Sequence, residues 1–180
     1  MNKIIKILGS SGAGKTTVIR DLMTKGPVIK WADNHPGYYV EVPDCPLAIV
    51  GRYEANCGGV DTLSGAAEAI KWVEAAHPFA HVIYEGLLQS TYYGRMGTWS
   101  QQYGDDFIYA LLNTPETVCM DRLHARREKN GTKRPLNVPQ AQEKYWTVRR
   151  AFDKAKEHGH RCVELQWDGD TSGQILELLK

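Results

Sequence analysis

Nothing in the 180 residues approaches the roughly 18 consecutive apolar positions that a membrane-spanning helix needs. The first apolar stretch, Ile4 to Leu8, is interrupted by Lys6 and is too short for a secretory leader. Cysteine is scarce and scattered. Cys45, Cys57, Cys119 and Cys162 form no CxxC pair, which argues against a disulfide framework or a cysteine-based zinc module. Nor is charge of one sign in excess, since 22 Lys and Arg face 21 Asp and Glu, for a net +1. A protein that holds nucleic acid by bulk charge alone is usually far more basic, so any grip on a polyanion must come from a local cluster. The histidines show no metal-ligand spacing, and there are no repeats, low-complexity tracts or linkers. These absences predict one domain over 1–180, working in a reducing cytoplasm without contact with a membrane.

What is present alternates. Lys3 to Leu8, Val28 to Trp31, Gly37 to Val42, Leu47 to Val50, His81 to Glu85, Phe107 to Leu112 and Arg161 to Trp167 read as strands. Two of the early ones are expected to pair as a hairpin. Helical spacing of apolar residues marks Thr16 to Lys25, the segment around Leu63 to Val73, Pro139 to His158 and Ser172 to Leu179. Thr114-Pro115 opens a further helix, with Thr114 expected to cap it. The stretch from Gln89 to Asp106 has no clean period and reads as a long loop. Strands alternating with helices predict an α/β fold, a mainly parallel sheet covered on both faces. Ligands bind such sheets beyond the carboxyl ends of the strands, where Gly9 to Lys15, Arg52 to Asp61, Glu85 and Asn113 converge.

Gly9-Ser10-Ser11-Gly12-Ala13-Gly14-Lys15-Thr16 satisfies G-x-x-x-x-G-K-[ST] at every required position. Glycines let consecutive backbone N–H groups curl around an anion, and the following helix points its positive end there. The pattern assigns nucleotide phosphates to this loop and to Thr17 beside it. Lys15 reaches the terminal phosphates and the Thr16 hydroxyl ligates Mg²⁺. Between Arg122 and Arg134 lie six basic residues and one acid. Arg122 and Arg126 share a helix face, suited to the charge that develops on a transferring phosphoryl group. The alternative is a solvated helix face beside a charged loop. The break at Gly131 would let the segment 122–137 close as a lid.

On the acceptor side, Gly51-Arg52-Tyr53 and Gly58-Gly59-Val60-Asp61 leave a strand at the ligand edge. An alcohol acceptor needs a base within hydrogen-bond reach. Asp61 is the first candidate, with Glu85 and Asp33 in reserve, unless Asp61 only caps the helix starting near Ser64. Arg52 could hold a substrate phosphate or pair with a neighbouring acid. Tyr92, Tyr93, Arg95 and Trp99 interleave rings with a cation, an arrangement that stacks bases, or else forms a satellite core under a loop.

Over nearly its whole length the chain resembles the P-loop kinases of nucleosides and nucleotides. The phosphate loop carries this resemblance, together with Val82-Ile-Tyr-Glu85-Gly86, Leu111-Leu-Asn-Thr-Pro-Glu116 with its following arginines, and Trp167-Asp168-Gly-Asp170. It implies a three-layer fold with a five-stranded, mainly parallel sheet, a small β-hairpin insertion and an Arg-rich lid. It also implies Glu85 as an acid supporting Mg²⁺ and an adenine site near the loop after the last strand. Gly51-Arg-Tyr…Cys57-Gly-Gly-Val-Asp61-Thr with Tyr84-Glu-Gly-Leu-Leu88 is similar to the bacteriophage 5-hydroxymethyluracil DNA kinases. That resemblance implies ATP-dependent phosphorylation of a hydroxymethyl group on a pyrimidine in DNA, in the host cytoplasm. Asp33, Arg52, Tyr53, Gly58, Gly59, Asp61, Tyr92 and Arg95, in insertions spanning about 33–62 and 88–106, are then the acceptor-side residues. A kinase for a free nucleoside, nucleotide or small metabolite is the nearest alternative, and a nucleotide-gated ATPase the next.

Overall fold

Every residue of Ile4–Leu8 is buried, and this strand, β1, is the middle one of the sheet's five parallel strands. The computed structural model describes residues 1–31, 35–54, 58–91 and 93–180. Seven strands stand among them in the order β2-β3-β4-β5-β1-β6-β7. The others are β2 (Val28–Lys30), β3 (Gly37–Val40), β4 (Leu47–Val50), β5 (His81–Glu85), β6 (Phe107–Leu112) and β7 (Arg161–Leu165). Strands β4, β5, β1, β6 and β7 are mutually parallel. β3 runs antiparallel to β4, and β2 antiparallel to β3. The expected five parallel strands are therefore present, but the sheet has seven. The hairpin is no separate insertion, because Gly37–Val40 pairs directly with Leu47–Val50 and continues the sheet to its edge.

Alternation along β1 splits the core. Ile5 and Ile7 face a cluster with Val18, Ile19 and Leu22 of α1 (Lys15–Met23) and Ile175 and Leu179 of α7 (Thr171–Leu179). Ile4 and Leu8 face the other cluster. It contains Ala69, Val73 and Ala76 of α2 (Ala66–Ala76), Met96 of α4 (Gly94–Ser100), and Val148, Phe152 and Ala155 of α6 (Val138–Glu157). Helices thus cover both faces, and α5 (Glu116–Lys129) follows β6. Lys6, between Ile5 and Ile7, is only 1% exposed, and its ammonium lies 5.2 Å from the centre of the Tyr109 ring. Burial pulls its pKa down from 10.5 to about 7.

Two local expectations give way. The unperiodic stretch after β5 is helical: α3 (Leu87–Thr91), α4, then a 3-10 turn over Gln101–Asp106. Its rings serve the core. Trp99 meets Phe107 edge-on at 5.4 Å and donates its indole N–H to Glu74, while the Tyr93 hydroxyl pairs with His160 Nε2 at 2.8 Å. The satellite-core alternative therefore holds for Tyr93 and Trp99. Thr114 does not cap α5. Pro115 occupies the cap position with no side-chain hydrogen bond, and the Thr114 hydroxyl donates to the Ala13 carbonyl.

Candidate functional site

Four carbonyls of the β1–α1 connection are held by side chains. Lys15 Nζ donates to the Gly9 and Ser10 carbonyls at 2.8 and 3.2 Å. Thr114 Oγ1 donates to Ala13 O, and Arg122 Nη1 reaches Gly12 O and Ala13 O at 3.2 and 3.1 Å. No side chain caps the first turn of α1. Gly12 has φ +83, and a Cβ there would lie 2.5 Å from the Cys119 carbonyl oxygen, so only glycine fits. Such a loop is an anion cradle made of main chain.

Before this loop lies a cavity of about 720 Å³. Its floor is residues 10–18, one wall carries Arg122 and Arg126, another Gly58, Asp61, Glu85 and Leu87, and the far end Trp167 and Gly169–Ser172. The Arg122 guanidinium sits 5.2 Å from the Trp167 ring centre. Asp170 caps α7 by accepting from Gly173 N at 2.8 Å, and Ser172 donates to Asp21, tying α7 to α1.

Glu85 ends β5 and is only 3% exposed. Its Oε1 accepts from Thr16 Oγ1 at 2.9 Å, and its Oε2 lies 3.9 Å from Lys15 Nζ. Burial dominates both charges. It pushes Glu85 above its ordinary value and pulls Lys15 below its own, and their mutual attraction offsets this only in part. Gly59, at φ +87, lies against the end of β5, where a Cβ would stand 2.3 Å from the Glu85 carbonyl oxygen.

Asp61 borders the same cavity, on a 3-10 turn (Val60–Thr62). Both carboxylate oxygens accept main-chain N–H groups, Oδ1 from Leu88 at 3.1 Å and Oδ2 from Leu87. Asp61 does act as a cap, but of α3 and not of the helix expected near Ser64. There Glu68 Oε2 accepts from Ser64 N instead. The cavity brings Ser10 to Thr17, Arg122, Arg126, Glu85, Gly58 and Asp61 together. Gly9 lies beneath it. Tyr53 is buried in the core under Gly58, and Arg52 and Arg95 are exposed outside the lining. Asp33, Tyr92 and Cys57 fall outside the described residues. Sequence reasoning missed the hold of Arg127 on the Arg134 and Pro135 carbonyls, which fastens the segment after α5 to that helix. The density of basic residues there was its only signal.

Sheet, loop and cavity define an α/β protein that gathers its charged side chains around one amide-rich turn at the carboxyl edge of the parallel strands. No family model matches the chain. It is 32% identical over 179 residues to a protein of Pseudomonas phage M6 named 5-hmdU DNA kinase, covering 92% of each chain. A protein of the same name from Pseudomonas phage PaMx11 is 33% identical over 175 residues, covering 93% of this chain and 92% of the relative. A third, from Delftia phage PhiW-14, is 28% identical over 91% of this chain and 70% of its own. The chain belongs to the family of these 5-hmdU DNA kinases. The resemblance read in Gly51 to Thr62 and Tyr84 to Leu88 is borne out at the level of family.

Proposed function

We propose that the protein is a P-loop kinase that transfers the γ-phosphoryl group of ATP to the hydroxymethyl oxygen of 5-hydroxymethyluracil in DNA. One observation carries this reading: a cradle at residues 9–16 whose carbonyls are tied back by Lys15, Thr114 and Arg122, in a chain aligned over nine-tenths of its length with kinases of that name. The cavity, about 720 Å³, suits a nucleoside triphosphate with the tip of an acceptor. Triphosphate oxygens take over Lys15 from the Gly9 and Ser10 carbonyls, and their charge offsets the burial that depresses its pKa. Arg122 and Arg126, which line the same cavity, stabilise charge on the moving group. Asp61, fixed by two amides, accepts the hydrogen bond of the acceptor hydroxyl and takes its proton as the new O–P bond forms, the bond from the γ-phosphorus to the bridging oxygen breaks and ADP leaves. Trp167 and the turn before α7 border the adenine end.

The residues fit Mg²⁺. A hydroxyl (Thr16) and a carboxylate (Glu85) stand 2.9 Å apart beside the cradle. Mg²⁺ is commonly held by one or two protein oxygens, with phosphates and water completing its octahedron. The lack of any cluster of three His, Cys, Asp or Glu among the described residues accords with that mode. Held by Thr16 and Glu85, Mg²⁺ would neutralise part of the charge on the phosphates.

Labelled ATP offered with hydroxymethyluracil DNA, unmodified DNA, free nucleosides and nucleotides in separate reactions tests this reading. Label should enter only the hydroxymethylated DNA; label confined to small molecules, or release of free phosphate alone, overturns it. Asp61→Asn should lower kcat about 10²- to 10³-fold with ATP affinity nearly intact. Because Asn keeps one acceptor oxygen for α3, a fall in melting temperature with unchanged kcat would leave Asp61 as a cap only. Arg122→Ala frees the Gly12 and Ala13 carbonyls and should raise the KM for ATP about tenfold. An unchanged KM would confine Arg122 to the surface.

A further inference from the structure

Phosphorylation of a base in duplex DNA at this cavity meets a geometric obstacle. Lys15 and Glu85, at its reacting end, are 7% and 3% exposed, so an acceptor hydroxyl must enter the protein. A base held in the stack cannot do so, and enzymes facing this problem rotate the nucleotide out of the helix. The gap left behind closes unless something fills it, and apolar side chains pushed between base steps do this in proteins that distort DNA.

Six large apolar side chains are exposed among the described residues: Met1, Val28, Ile29, Phe79, Leu88 and Trp146. Val28 and Ile29 belong to the edge strand β2, Phe79 precedes the amino end of β5, and Trp146 lies on α6. Only Leu88 stands at the acceptor wall. It follows Leu87, which lines the cavity, and its own side chain is 64% exposed. Its support is rigid. Asp61 holds the amides of Leu87 and Leu88, Ser90 Oγ donates to the Gly86 carbonyl at 2.6 Å, and Gln89 and Ser90 are buried beneath. The backbone that bears this apolar side chain is thus held next to the cavity by the same carboxylate assigned to the acceptor hydroxyl.

We propose that Leu88 is a wedge that enters the base stack of duplex DNA beside the target and holds open the space its rotated base vacates. This rests on the DNA-base reading above. One carboxylate would then set the distance between the extruded hydroxyl and the filled gap.

The test uses the full chain and one hydroxymethyluracil sequence in three forms: single-stranded, paired with adenine in a duplex, and placed opposite an abasic site. Wild type labels the single strand and the duplex. Leu88→Ala should lower kcat/KM on the paired duplex at least tenfold more than on the single strand, with the abasic duplex between them. Leu88→Met and Leu88→Phe should restore the paired duplex. A 2-aminopurine opposite the target should brighten with wild type and not with Leu88→Ala. Equal losses on all three substrates, or none, overturn the wedge, as does wild-type activity confined to single strands. A changed sedimentation coefficient with an unchanged duplex-to-single-strand ratio would overturn it in favour of a self-association contact. Failure of wild type to label any of the three DNAs is a separate result, and it removes the DNA-base reading together with the wedge.

Discussion

Lys15→Ala should lower phosphoryl transfer by about 10²- to 10³-fold, the scale seen when a single preorganised donor to developing charge is removed. Lys15 is held by the Gly9 and Ser10 carbonyls and by the nearby Glu85 carboxylate, and on the proposed reading it exchanges them for phosphate oxygens. The loss has a structural side as well. Glu85, already pushed upward by burial, would lose its attraction to Lys15 while keeping its bond to Thr16. Some fall in melting temperature should follow, so activity alone does not isolate the catalytic effect. Lys15→Ala combined with Glu85→Gln should recover stability without recovering turnover. Steady-state rates and thermal melts on both variants check this. Turnover of Lys15→Ala within tenfold of wild type would remove the residue from the reaction.

The second large effect concerns the opposite face of the sheet. Lys6→Met should raise stability near neutral pH by several kcal/mol, with the gain shrinking as the solution becomes alkaline. Lys6 stands in register between Tyr84 and Tyr109, and no hydrogen bond or ion pair to its ammonium is found among the described residues. Its pKa is lowered to about 7 in the fold, against 10.5 for an ordinary lysine. Between those values the unfolded chain binds a proton that the folded chain does not, so stability rises with pH across that window. The full difference is about 5 kcal/mol at 1.36 kcal/mol per unit. Other groups oppose it at the upper end: Tyr84 and Tyr109 are raised, and Cys162 is raised to about 11, so each favours unfolding once its unfolded form ionises. The useful quantity is therefore the difference between wild type and Lys6→Met, from urea melts at pH 7.5 to 9.5. That difference should narrow by about 1.4 kcal/mol per unit. A flat difference would mean that Lys6 is charged in the native protein.

What the sequence disclosed followed from where the constraint is local. The loop at residues 9–16 was legible because its glycines answer to nearby backbone demands, with β1 directly before it and α1 directly after. The parallel strands were legible as short apolar runs. Strand partnership was harder, since nothing in Gly37 to Val40 announces that it joins Leu47 to Val50 and extends the sheet. The helices after β5 were hidden by length and composition. α3 has five residues, and α4 has seven, including Gly94 and Gly97. Gly97 is needed because the Tyr93 ring occupies the space a side chain would take, with a Cβ falling 2.3 Å from its Cζ. Asp61 was singled out, yet its helix partner lies 26 residues away, beyond the reach of local pattern. Lys6 read as an interruption of an apolar stretch; that its neighbours would bury it is a tertiary fact.

The contact between Gly12 and the Cys119 carbonyl has a mechanical consequence. Main chain rests on main chain there, with no side chain between them to yield. α5 cannot slide along its axis without shifting the turn, and a turn that tightens must press back on α5. Arg122 and Arg126 ride on that helix, and Arg127 carries the segment beyond it. On the proposed reading, the pull of a triphosphate on that turn would reach the guanidinium groups of α5 through this contact.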